Sequence, residues 1–211
     1  MADVKILIGD DHAIVREGMM RLLKEEFESV EFGEARCGID VLDMVRKDKF
    51  DVIIMDITMP GRTGLEILKQ LRSENNQTPV LVLSMYPEDQ YAVRVMRAGA
   101  SGYLTKDTAS EQLIQAVKRV LSGRKYVSES LAERLADDLD GKSSKSIHEL
   151  MSDREYQVMC MIASGKTVSE IADELSLSVP TISTYRARIL EKLNMKTNAE
   201  ITRFAIETGL V

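Results

Sequence analysis

Three aspartates, a serine and a lysine have the side chains needed to handle a phosphoryl group: Asp10, Asp11, Asp56, Ser84 and Lys106. Carboxylates crowded together repel one another, so a cation is their natural companion. Mg²⁺ suits them, because it takes oxygen ligands and combines one or two carboxylates with phosphate and water. Asp56 could then act as a nucleophile and form an acyl phosphate. Lys106 could pair with the new phosphoryl oxygens, and the Ser84 hydroxyl could hydrogen-bond another. Phosphoryl transfer asks chiefly for positioning and electrostatics, and this set supplies both. Apart from the adjacent Asp10 and Asp11 they lie far apart in the chain, so a fold must gather them.

The stretch Phe50-Asp-Val-Ile-Ile-Met-Asp-Ile-Thr-Met-Pro60 holds an unbroken apolar run, 52–55, that ends in Asp56. Such a run reads as a strand buried on both faces of a parallel sheet. Taken alone, Asp56 fits a strand end and a simple loop acid equally well. Residues 4–8 run into Gly9-Asp10-Asp11, 80–83 into Ser84, and 102–105 into Lys106, while 32–35 form a weaker strand. Helical spacing follows each: over 14–27, at Val41, Leu42 and Val45, over 64–71, and around Tyr91, Val95 and Met96. A last helix runs through Leu113, Val117 and Leu121 after a capping box, Thr108-Ala-Ser-Glu111. Five such alternations define a doubly wound α/β domain with a five-stranded parallel sheet. Its strands end on one edge, where open sheets of this kind keep their sites. All five reactive residues stand at or just beyond such an end. Met59, Met85 and Met96 read as core filler or helix-face residues. His12 has no partner at ligand spacing and reads as a structural or solvated histidine.

At 211 residues the chain has room for two domains, and its 44% apolar and 29% charged content is that of a globular protein. No apolar run approaches the roughly 20 residues of a membrane span. The two cysteines, Cys37 and Cys160, read as buried thiols in a reducing compartment, which points to the cytoplasm. A net charge of −6 means that nucleic-acid affinity would have to come from a local patch. Residues 186–203 supply one, with five basic residues against two acidic ones.

The expected organisation is a domain over 1–126, a partly helical linker over 127–147, and a second, all-α domain over 148–211. Within the linker, Leu131, Leu135 and Leu139 keep helical spacing, and residues 140–146 then lose every apolar side chain. Four helices are predicted beyond it. Capping boxes at Ser152/Glu155 and Thr167/Glu170 open the first two, Ser178 caps the third and Asn198 the fourth. The second and third, joined by a tight turn, make a helix-turn-helix. On the third, Ile182, Ile189 and Leu193 form the buried stripe, while Thr184, Ala187, Arg188 and Glu191 point away. That outer face suits a major groove. Thr184 and Arg188 are the candidates for base contacts, and Thr181, Ser183, Arg186 and Lys192 for phosphate contacts.

Two resemblances cover the chain apart from the linker. Asp10-Asp11, Asp56 followed by Met59-Pro60-Gly61 and Gly64, Ser84, and Tyr103 ahead of Thr105-Lys106 resemble the receiver domain of two-component response regulators. Leu150-Met-Ser-Asp-Arg-Glu155, Gly165-Lys-Thr-Val-Ser-Glu-Ile-Ala172, Thr181-Ile-Ser-Thr-Tyr-Arg186 and Glu191-Lys-Leu193 resemble the LuxR/NarL-type DNA-binding domain. The chain is thus similar to NarL/FixJ-type response regulators, and its Thr184-Tyr185-Arg186-x-Arg188 run to the GacA/UvrY branch of them. The resemblance implies a CheY-like, flavodoxin-like sheet of order 2-1-3-4-5 and phosphorylation of Asp56 by a sensor histidine kinase. It implies Mg²⁺ held by Asp11, Asp56 and the Thr58 backbone carbonyl with Asp10 assisting, and Ser84 and Tyr103 as the switch pair. It further implies promoter DNA as a partner, a phosphorylation-dependent homodimer, and no enzymatic turnover beyond the protein's own phosphoryl transfer and autodephosphorylation. The chain departs from many receivers in having Asp107 after the lysine and Gly9 before the acid pair. A phosphatase of the haloacid-dehalogenase type is the enzymatic rival, but it needs a second aspartate where Thr58 stands. A regulator whose receiver serves only to dimerise would need none of the five residues.

Overall fold

The computed structural model describes residues 4–139 and 151–208 of the chain. Two compact units are present, Met1–Ala132 and Glu133–Val211. The polar stretch 140–146 lies outside the described residues.

In the first unit β1 (Val4–Gly9), β2 (Val30–Ala35), β3 (Val52–Asp56), β4 (Val80–Ser84) and β5 (Gly102–Thr105) form one parallel sheet of order 2-1-3-4-5. Helices α1 (Ala13–Glu26), α2 (Gly38–Lys47), α3 (Gly64–Ser73), α4 (Glu88–Arg97) and α5 (Lys106–Leu121) follow the strands in turn, and α6 (Glu129–Leu139) comes after them. Every residue of β3 and β4 is buried, as their unbroken apolar runs require of central strands. Ile6, Ile8, Val52, Ile54, Leu81 and Leu83 pack against Met19 and Leu23 of α1 and Leu113, Val117 and Val120 of α5. Burying each such side chain is worth about 1.5–3 kcal/mol, so this layer fixes the sheet. The register sets Asp56 beside Leu83 and Ser84 beside Thr105, which levels the carboxyl ends. Strand order reverses between β1 and β3, and Asp10 and Asp56 stand at that switch point.

Gly9 has a packing reason. A Cβ there would sit 2.9 Å from Cγ2 of the buried Val41 on α2, so a Val or Ala would force that side chain to move. Several local expectations shift. β2 begins at Val30, two residues early. α5 starts at Lys106 directly from β5, so Thr108 lies inside its first turn and donates to the Thr105 carbonyl at 3.2 Å rather than forming a capping box. Met59 and Met96 are buried, but Met85 is exposed in the loop after β4. Cys160 is buried, whereas Cys37, at the N-cap of α2, is only half-buried.

The second unit carries α7 (Asp153–Ala163), α8 (Val168–Glu174), α9 (Val179–Lys192) and α10 (Asn198–Glu207). Capping boxes open α7, α8 and α10. The last uses Thr197 with Glu200, and Asn198 is already helical. Ser176, in the left-handed region at φ 53°, turns the chain between α8 and α9 while Leu177 N–H closes onto the Ala172 carbonyl at 2.8 Å. Ile171, Ile182, Ile189, Ile201 and Ala205 supply buried side chains from α8, α9 and α10.

Candidate functional site

At the carboxyl edge of the sheet, Asp10 and Asp56 are almost wholly enclosed, at 0% and 3% exposure. Lys106 reaches in from the start of α5. Its Nζ lies 2.6 Å from Asp56 Oδ2 and 2.7 Å from Asp10 Oδ2, bridging the two acids. The Thr58 backbone N–H donates to Asp56 Oδ1 at 3.0 Å, which orients the carboxylate. Burial pushes the Asp56 carboxyl up to about 6, against the pull of Lys106; the neighbouring Asp10 adds to the rise. Burial works against charge on Lys106 too, yet Asp56 and Asp10 hold its pKa above the ordinary lysine value. The site thus carries more negative charge than one lysine compensates. Asp11 is exposed beside it, and one donor atom each from Asp10, Asp11, His12 and Asp56 lies within 4.8 Å of the others.

His12 departs from the reading given by sequence spacing. The turn after β1 brings its Nδ1 to 2.9 Å from Asp11 Oδ1 and 3.1 Å from Asp10 Oδ1, so it does have partners among the acids. Arg16 is the residue that sequence reasoning missed. It is buried on α1, donates to the Asp10 carbonyl at 2.8 Å, and pairs with Glu34 of β2 at 3.1 Å. The available signal was a charge on the stripe of Met19 and Leu23. Gly64 also earns its place by contact, since a Cβ there would lie 2.2 Å from the Asp56 carbonyl oxygen.

Ser84 is fully buried, and its Oγ accepts from the Tyr86 N–H at 3.0 Å. Tyr103 is buried beside it, its hydroxyl donating to the Tyr86 carbonyl at 2.7 Å. Both expected switch residues therefore grip the backbone of one residue, Tyr86, just before α4. Burial raises the Tyr103 phenol well above its ordinary value, so it remains a donor.

On α9 the buried residues are Ile182 and Ile189, while Ser183, Thr184, Ala187, Arg188 and Glu191 are exposed. Thr181 contacts the Ser178 hydroxyl at 2.7 Å, and Thr184 Oγ1 donates to the Pro180 carbonyl at 2.9 Å. Arg186 Nε donates to Asn198 Oδ1 at 2.5 Å. Lys192 Nζ pairs at 2.6 Å with Glu155, which also closes the capping box of α7. Burial disfavours charge on Glu155, but Lys192 and Ser152 hold its pKa below the ordinary carboxylate value. Among the described residues, only Ser183 and Arg188 of the six candidates make no side-chain hydrogen bond or ion pair within the protein.

Residues 6–118 match the response regulator receiver domain, and residues 149–205 match bacterial regulatory proteins of the luxR family. The chain belongs to the response regulator family. It is 38% identical to the response regulator GacA of Pseudomonas aeruginosa over 99% of this chain and 98% of that one. It is 35% identical to the response regulator UvrY of Escherichia coli K12 over 98% and 95% of the two chains. Among solved structures, RcsB of Salmonella enterica serovar Typhimurium, bound to promoter rprA in the presence of the phosphomimetic BeF3−, covers 96% of this chain and 98% of its own. That match has a TM-score of 0.64 at 25% identity. A receiver joined to a LuxR-type helix-turn-helix makes this response regulator a DNA-binding transcription regulator. No helix among the described residues is long and apolar enough to cross a membrane.

Proposed function

We propose that this regulator is switched by phosphorylation of Asp56 and then binds promoter DNA as a homodimer. The observation that carries the reading is the bridge from Lys106 to Asp56 and Asp10 at the sheet's switch point. A buried nucleophilic carboxylate is there paired with a cation able to receive a new phosphoryl oxygen. The phosphodonor is a sensor histidine kinase. An Asp56 carboxylate oxygen attacks phosphorus, the P–N bond of the phosphohistidine breaks, and its electron pair stays with the departing imidazole. The new group carries about −1.5 to −2 charges. Lys106 pairs with it, and the Ser84 hydroxyl donates to it.

Ser84 turning toward the phosphoryl group gives up the Tyr86 N–H it now accepts from, and Tyr103 moves with it. The start of α4 shifts as a result, altering the surface of α4, β5 and α5 and promoting dimerisation. The α10 helices form the contact between output units, and two α9 helices read half-sites one or more helical turns apart. Thr184 and Arg188 meet base edges. Thr181, Ser183, Arg186 and Lys192 lie along the phosphates, Arg186 and Lys192 leaving their present partners to do so.

The donor set fits a divalent cation: three carboxylates meet with one lysine among them, and the charge on Asp56 is costly without further compensation. Asp11, Asp56 and the Thr58 carbonyl would hold Mg²⁺, with Asp10 assisting. When bound, that ion neutralises charge on the incoming phosphoryl oxygens. Removal of the phosphoryl group by water in the same site makes the switch transient, and the protein turns over no external substrate. The receiver spans 1–126, a partly helical linker 127–147, and the output domain 148–211, all working in the cytoplasm. Intact mass after incubation with Mg²⁺ and acetyl phosphate tests the chemistry. Wild type is expected to gain one phosphoryl group and Asp56→Asn none; a group that persists in the variant refutes Asp56 as acceptor.

A further inference from the structure

We propose that His12 is a nitrogen ligand of the cation site, and that it turns the site's preference from Mg²⁺ toward borderline divalent cations such as Mn²⁺. The inference rests on the reading of the acid cluster as a divalent-cation site and adds to it a donor of different chemistry.

His12 is the first residue after the acid pair and holds the N-cap position of α1, where its side chain makes no capping bond. The ring is instead turned onto the acids, with Nδ1 at 2.9 Å from Asp11 Oδ1 and 3.1 Å from Asp10 Oδ1. Its backbone N–H also donates to Asp10 Oδ1 at 2.8 Å, so backbone and ring converge on one carboxylate. The four donors, one from each residue, fall within 4.8 Å of one another. Ligands on opposite sides of a small divalent ion are separated by about 4–4.4 Å, twice a bond of roughly 2.0–2.2 Å. The cluster is therefore close to the size of one coordination sphere.

An all-oxygen set favours Mg²⁺. Imidazole is a softer donor, and it raises affinity along the series of first-row metals while adding little for Mg²⁺. A cation bound there would replace the contacts that Nδ1 now makes with the two carboxylates. Because His12 is 64% exposed at its side chain and caps nothing, replacing it leaves the fold intact. The asymmetry between two metals is the signature of a direct ligand. A residue that merely neutralised the acids would affect both alike.

Calorimetric titration of the full chain with MnCl₂ and, separately, MgCl₂ tests this in wild type and His12→Ala. Pulsed EPR of the Mn²⁺-loaded proteins accompanies it. The expected result is a loss of about tenfold or more in Mn²⁺ affinity for His12→Ala, with Mg²⁺ affinity changed less than about twofold. Wild type should show a directly bound nitrogen that the variant lacks. The only other histidine, His148, is present in both proteins and serves as the control. Equal Mn²⁺ affinity in the two proteins, or no bound nitrogen in wild type, overturns the ligand role alone. A wild type that binds neither cation overturns it together with the cation reading beneath it.

Discussion

The charge on Asp56 is held at a cost, and Asp56→Asn should release it. Without a divalent cation the carboxyl is pushed up to about 6, from an ordinary value of 3.8. The folded state thus binds this proton more tightly than the unfolded chain does. The resulting stabilisation is fully present below about pH 4 and is lost as pH rises through about 6. A gap of about two pKa units corresponds to about 3 kcal/mol at pH 7. Asp56→Asn keeps the shape of the group and leaves Lys106 its partner Asp10. In EDTA at pH 7.5 the variant should therefore be the more stable protein, by up to about 3 kcal/mol. The advantage should fade toward pH 4, where Asp56 is neutral in wild type as well. Urea unfolding followed by circular dichroism from pH 4 to 8 reads this directly. Saturating Mg²⁺ should narrow the gap by stabilising wild type. A variant as stable as wild type at pH 7.5, or less stable, would refute the claim that burial outweighs Lys106 at this carboxylate.

Gly64→Ala should be severe, because its Cβ would meet the Asp56 carbonyl oxygen at 2.2 Å. A loss at or above the about 1–3 kcal/mol of ordinary overpacking is expected in unfolding experiments, with slowed phosphorylation. Arg16→Met should loosen the β1–α1 turn by removing the bond to the Asp10 carbonyl, and weaken Mg²⁺ binding measured by calorimetry. Arg188→Ala should cost about 1–3 kcal/mol of promoter affinity, roughly ten- to a hundredfold, in a gel shift at fixed salt. Lys192→Met should act first on the fold, leaving buried Glu155 without its cation at a cost of about 1–3 kcal/mol. Glu155 has a lowered pKa, so its contribution is present above about pH 4.5 and should be lost as pH falls; acid titration of the second unit's unfolding checks it.

Most of the fold was legible because central parallel strands announce themselves. The runs at 52–55 and 80–83 lack alternation, and each ends in a polar residue that the register then lines up with its neighbours. The helix-turn-helix was legible for a different reason, since its capping boxes at Ser152 and Thr167 and its N-cap at Ser178 are local and fall where the sequence places them. Thr108 misled because a capping signature is local evidence, and a strand running straight into α5 overrode it. His12 and Arg16 were opaque because their partners come from the shape of one turn and from β2. Spacing along the chain does not report either. Gly9 and Gly64 were visible as residues, but the reason for each lies in a neighbouring element's approach.

The central claim is that a phosphoryl group on Asp56 governs DNA binding. Gel shifts of one promoter fragment, at fixed salt, with protein phosphorylated by acetyl phosphate and with the same protein untreated, test it most directly. Asp56→Asn is carried through the same treatment. The account predicts tighter, dimeric binding by phosphorylated wild type and no response to treatment in the variant. Equal affinity with and without the phosphoryl group, confirmed by mass on the same sample, would contradict it.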